Sequence, residues 1–150
     1  MIPSAVIATL SDSYFNKVLN ACPRKARESL FVSFGVPKSK KKASALLPGR
    51  DPERGIKLRA AMAMMEEDEE TFQQMGEELI RVYLMGHRDL LGAALDHMGI
   101  AHEDGLTDDE LEAFAKLKPA AGKELRDVLL KAYDAEDVAL YLGFMDVRIA

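Results

Sequence analysis

Eight cations between Lys38 and Arg59 are the side chains whose type and spacing most directly suggest a chemistry. Lys38, Lys40, Lys41 and Lys42 fall within five positions, and Arg50, Arg54, Lys57 and Arg59 follow, opposed only by Asp51 and Glu53. Ammonium and guanidinium groups on an exposed segment neutralise phosphates and release counterions. Four lysines on duplex DNA correspond to a log–log salt slope of about −3.6. Such contacts provide affinity without reading bases. No aromatic residue lies between Lys38 and Arg59, so a stacking platform for single strands is not encoded there. Zinc-finger spacing and RNA-binding signatures are absent too. The same residues suit a solvated loop, a protein contact or a localisation tag.

The opposite charge follows closely. Glu66, Glu67, Asp68, Glu69 and Glu70 are consecutive carboxylates. They can dock a basic partner, or attract the lysine-rich segment of the same chain or of a second copy. They also suit the positive N-terminal end of a helix, which supplies a purely local reason for them. The run lacks the spaced ligands and turn glycine of a calcium-binding EF-hand loop.

His87, His97 and His102 lie among Asp89, Asp96, Glu103 and Asp104, a mixture able to bind a divalent metal or transfer protons near neutral pH. Their spacing opposes that use. His97 and His102 are five apart with Gly99 between them, and neither HExxH nor a Glu-x-x-His pair occurs. Cys22, beside Pro23, has no neighbouring base and reads as a buried, inert thiol. No phosphate-cradling glycine loop, nucleophile elbow or dinucleotide fingerprint is present. No cofactor and no metal are therefore expected, and the pattern does not point to an enzyme. Five of the eight methionines, Met62, Met64, Met65, Met75 and Met85, concentrate in one region. Thioether chains fill gaps in helical cores and also line forgiving apolar grooves, and exposure of Met64 discriminates between the two.

Helices must position these groups. Period-2 alternation is nearly absent, whereas helical punctuation is plentiful. A helix is expected after Ser11 or Ser13, with Tyr14, Phe15, Val18 and Leu19 on its apolar stripe. Pro23 breaks it and opens the next as first helical residue, carrying Ala26, Leu30, Phe31 and Phe34 to a left-handed Gly35. Residues 36–50 read as an exposed basic connection. Asp51-Pro52 starts another helix, and the five carboxylates favour a break near Glu66 to Asp68 before a helix through Phe72, Met75, Leu79, Val82 and Tyr83. An unbroken helix from Pro52 to Met85 is the alternative. Leu90 to Met98 forms a short helix stopped by Gly99. Thr107 to Glu110 matches a capping box, Pro119 opens the next helix and Asp134 caps the last. The stretch Glu78 to Leu84 echoes Glu124 to Leu130 at an offset of 46, but a solenoid normally needs three repeats.

Composition sets the outer bounds. The 150 residues are 48% hydrophobic and 30% charged, too polar for a membrane-embedded chain and too apolar for a disordered one. One cysteine excludes an intramolecular disulfide. No signal peptide and no transmembrane span are read, so a cytoplasmic location is expected. The net charge of −5 conceals +8 over residues 1–59 and −13 over residues 60–150. Together these features predict a single all-α domain over 1–150, with about eight mostly short helices. Its expected function is a binding module or adaptor acting through protein–protein association, including self-association. Lys38, Lys40, Lys41, Lys42, Arg50, Arg54, Lys57, Arg59, Glu66, Glu67, Glu69 and Glu70 are its electrostatic handles. The alternative is a nucleic-acid-binding protein using the basic segment, and the third reading is a small metal- or ligand-binding enzyme around the histidines.

Overall fold

A computed structural model describes residues 2–38, 52–108 and 110–149, leaving out the side chains of Glu110 and Leu111. The described residues are all-α: nine helices and no strand. They divide into two compact units, residues 2–83 and residues 84–149.

The first unit contains α1 (Pro3–Ala8), α2 (Asp12–Asn20), α3 (Arg24–Ser33), α4 (Pro52–Ala63) and most of α5 (Glu70–Met85). Helix α2 begins as its sequence demands. The Ser11 side chain accepts from the Tyr14 amide, and Tyr14, Phe15, Val18 and Leu19 are all buried. Pro23 is the N-cap of α3 rather than its first helical residue. The end of α3 follows the expected glycine rule. Gly35 has φ +67°, and the amides of Gly35 and Val36 return to the carbonyls of Val32 and Phe31. That turn drives Val36 into the core, against the expected exposure of residues 36–50 at that position; Pro37 and Lys38 are exposed, and residues 39–51, with the expected Asp51 helix start, lie outside the described residues.

Helix α1 was not anticipated, because its apolar stretch carries no side-chain cap and only six residues. Pro3 opens it. Its free Ser4 amide is satisfied from elsewhere in the unit: the buried Gln73 side chain accepts that N–H at 3.0 Å through Oε1. Gln73 Nε2 donates onward to Ser4 Oγ (2.9 Å) and to the Glu66 carbonyl (3.1 Å). Helix α4 packs against α1 and α2, and Arg59 on α4 donates to Asp12 at the start of α2 at 2.7 Å. Ile7, Phe15, Leu58, Met62 and Ile80 are fully enclosed, and Tyr14 meets Tyr83 edge-on at 5.9 Å.

Residues 52–85 form two helices, not one. Residues 64–69 break the pattern, and α5 begins at Glu70 with the carboxylates ahead of its positive end.

The second unit contains α6 (Arg88–His97), α7 (Glu110–Ala115), α8 (Pro119–Leu130) and α9 (Ala135–Phe144). Asp134 caps α9, accepting from the amides of Glu136 and Asp137. Helix α9 is buried around much of its girth, through Val138, Leu140, Tyr141 and Leu142, and Phe114 of α7 packs edge-on against Tyr141 at 5.7 Å. Helix α7 starts at Glu110, later than a capping box on Thr107 requires. Between α6 and α7 lies a feature that a period-2 search cannot detect. Glu103 and Leu106 exchange backbone hydrogen bonds of 2.9 and 3.0 Å around Asp104 (φ 52°) and Gly105 (φ 80°). This is a two-residue type I′ hairpin, specified by the Asp-Gly pair.

Candidate functional site

The cations that are adjacent in sequence have different environments in space. Lys40, Lys41, Lys42 and Arg50 lie outside the described residues. Lys38 and Lys57 are exposed. Arg54 is turned inward and retains only 8% of its exposure. Its Nη1 donates to both carboxylate oxygens of Glu28 at 3.0 Å, Nη2 reaches the Val36 carbonyl at 3.4 Å, and the guanidinium stacks 3.9 Å from the centre of the Phe31 ring. That arrangement joins α4 to α3 and is not available to a ligand. Arg59, paired with Asp12, is half-buried. Two of the eight cations are thus structural ties within the first unit.

The carboxylates Glu66, Glu67, Glu69 and Glu70 are all exposed. They share their turn with Met64, whose 82% exposure is the highest among the large hydrophobic side chains described. Met62, two residues earlier, is completely buried. The methionine-rich region therefore divides into a core half and a surface half.

Helices α3 and α5 shape the most apolar concavity described. Phe34 contacts Phe72 at a centroid distance of 5.1 Å, placing the end of α3 beside the start of α5. Cys22, just before α3, feels the charge of Glu78. The two helices therefore run antiparallel and enclose a groove of about 350 Å³. Leu30, Met75, Leu79 and Val82 supply its apolar surface, and Ala26 and Ser29 keep the α3 side low. Cys22 lines it as well. Burial pushes the thiol's pKa up, with Arg27 opposing and Glu78 reinforcing that shift, so Cys22 is a poor nucleophile. Beside the groove, the outer face of α3 presents exposed Arg24 and Lys25 together with Val32, which is 77% exposed.

The histidines of the second unit do not converge. His87 approaches Asp137 at 3.8 Å, His97 approaches Glu124 at 3.9 Å, and His102 Nε2 lies 2.7 Å from Asp96 Oδ1. Among the described residues no group of three or more His, Cys, Asp or Glu side chains is placed to hold a metal ion. His102 has a defined tautomer. The Gly105 amide donates to Nδ1 at 2.9 Å, so the proton sits on Nε2 and faces Asp96. Both ring nitrogens are engaged in holding the hairpin to α6. An open cavity of about 870 Å³ lies over that hairpin, and neither nitrogen is available to it for proton transfer.

No protein-family model, curated protein or solved structure matches the chain. No helix among the described residues is long and apolar enough to cross a membrane.

Sequence reading anticipated the charged segments and the exposure test at Met64. It missed the groove, because Ala26, Met75 and Val82 read as the interior faces of their own helices. Only the packing of α3 on α5 leaves their flanks uncovered.

Proposed function

We propose that the protein is a non-enzymatic helical binding module that acts through protein–protein association, self-association among its forms, in the cytoplasm. The observation that carries this reading is the α3/α5 groove, an apolar concavity with Glu78 in its wall and the exposed cations Arg24 and Lys25 on the adjoining face of α3. Apolar grooves between helices take the apolar face of a partner element, and flanking charges set orientation and on-rate. The test is quantitative capture of partners from native lysate by the intact protein and by Ala26→Arg, which places a long cation at an exposed groove position. Loss of the captured species with Ala26→Arg, at unchanged circular dichroism and melting temperature, supports the reading. Identical capture by both proteins refutes it.

A second reading, binding of nucleic acid through the basic segment, draws on the exposure of Lys38 and Lys57. Arg54 and Arg59 are tied into the fold and add little to it. Salt titration of duplex binding, repeated with Lys38, Lys40, Lys41 and Lys42 changed to Gln, tests it. A slope near −3.6 that collapses in the variant supports nucleic acid; absence of binding at low salt removes it.

A further inference from the structure

We propose that the occupant of the α3/α5 groove is a second copy of this chain, which inserts Met64 and brings its acidic turn against Arg24 and Lys25. This inference rests on the association reading above and names its partner. Three observations on the first unit carry it. The first is that Met64 is a flexible apolar side chain left 82% exposed in a turn that also contains Glu66, Glu67, Asp68 and Glu69. A single exposed apolar side chain is ordinary on a protein surface, but methionine adapts readily to an irregular pocket, and this one lies two residues before an acidic run. The second is that the groove offers the complementary pair of properties. Leu30, Met75, Leu79 and Val82 form an apolar receptacle whose one charged wall residue, Glu78, is paired with Arg81 at 3.6 Å, and Arg24 and Lys25 stand as exposed cations on the adjoining face of α3. Neither of these cations makes an ion pair among the described residues, whereas Glu28 on the same helix is already held by Arg54.

The third observation is that the two patches cannot satisfy each other within one chain. Antiparallel packing puts Arg24 and Lys25, at the start of α3, beside the Glu78–Val82 portion of α5. The acidic turn ends at Glu69, immediately before the first residue of α5. From Glu70 to Val82 the helix rises about 18 Å, and α5 is one continuous helix over that distance. The turn of a second molecule meets no such barrier. A contact of one apolar knob with flanking ion pairs is smaller than a standard interface, so the association is weak and reversible, in the micromolar to millimolar range.

Sedimentation velocity of the full chain from about 10 μM to about 1 mM reads this directly. The expected result is a concentration-dependent rise in sedimentation coefficient that weakens at high salt. Met64→Asp and Ala26→Arg each reduce the association constant by about tenfold or more, the effect of denying burial to one large apolar side chain or of obstructing its receptacle. Both positions are exposed, so circular dichroism and melting of the variants remain those of the parent. An equimolar mixture of Met64→Asp and Ala26→Arg regains association as a mixed dimer, because one chain keeps its knob and the other its groove. A constant monomer across the range overturns the proposal, as does association indifferent to either substitution or a mixture that fails to recover. A strictly monomeric chain that still captures a foreign protein through the groove defeats this inference alone and leaves the association reading standing.

Discussion

Replacing Gln73 with Met keeps the length and apolar volume of the side chain and removes its amide. In the native fold this amide makes three hydrogen bonds, to the Ser4 amide at 3.0 Å, the Ser4 hydroxyl at 2.9 Å and the Glu66 carbonyl at 3.1 Å. Ser4 and Gln73 are each less than a tenth exposed, so water does not readily replace what is lost. Each net hydrogen bond contributes about 1 kcal/mol, and a buried amide left without a partner costs about 1–3 kcal/mol. The apolar gain from methionine offsets part of this. The expected destabilisation is about 2–4 kcal/mol for the first unit. Urea denaturation followed by a probe confined to that unit, such as the methyl resonance of the buried Met62, measures it. Amide exchange at Ser4 gives the local readout and accelerates more than exchange in α9. Because the Glu66 carbonyl loses its anchor, the acidic turn also loosens, which would weaken the self-association proposed above. A change below about 0.5 kcal/mol, or unaltered exchange at Ser4, refutes the claim that Gln73 caps α1 from a distance.

Arg54→Leu is expected to destabilise the first unit by about 1–3 kcal/mol, discounted for the 41% exposure of the Glu28 side chain, without altering any affinity for nucleic acid; thermal melting and a filter-binding titration separate the two effects. Gly105→Ala forces a Cβ to within 2.8 Å of the Arg88 carbonyl at a φ of +80°, so it costs about 2 kcal/mol or more. The same variant is expected to disturb the His102 tautomer; imidazole ¹⁵N spectra check this, with Nε2 protonation expected in the parent from the Gly105 amide on Nδ1. Cys22, with a pKa raised by burial, has less thiolate than a free thiol at any pH up to and through the ordinary thiol pKa. Iodoacetamide should therefore modify it much more slowly in the folded protein than in urea at the same pH, and equal rates contradict the buried placement.

The fold was legible wherever local chemistry decided it. Ser11 and Asp134 act as caps, Gly35 takes the left-handed position, and the carboxylates break the chain before Glu70, because each of these effects operates within one helical turn. What depends on distant partners was not legible. Arg54 belongs by sequence to a cationic run, yet Glu28, Phe31 and Val36 draw it inward, and no spacing rule reports that contact. Helix α1 is too short to announce itself and is held by Gln73, almost seventy residues away. The Asp-Gly pair at 104–105 carries a hairpin signal, but the hairpin is a single pair of bridged residues with no alternating strands beside it. The groove between α3 and α5 belongs to neither helix alone.

The contacts of Arg54 have a consequence for the segment they flank. One guanidinium grips the Val36 carbonyl on one side of residues 39–51 and is itself carried by α4 on the other. The two ends of that stretch are therefore fastened together by side-chain chemistry, independently of the peptide chain between them. Losing Arg54 therefore frees the chain just after α3 from α4, and exchange of the Val36 amide accelerates together with the loss of the Glu28 pair.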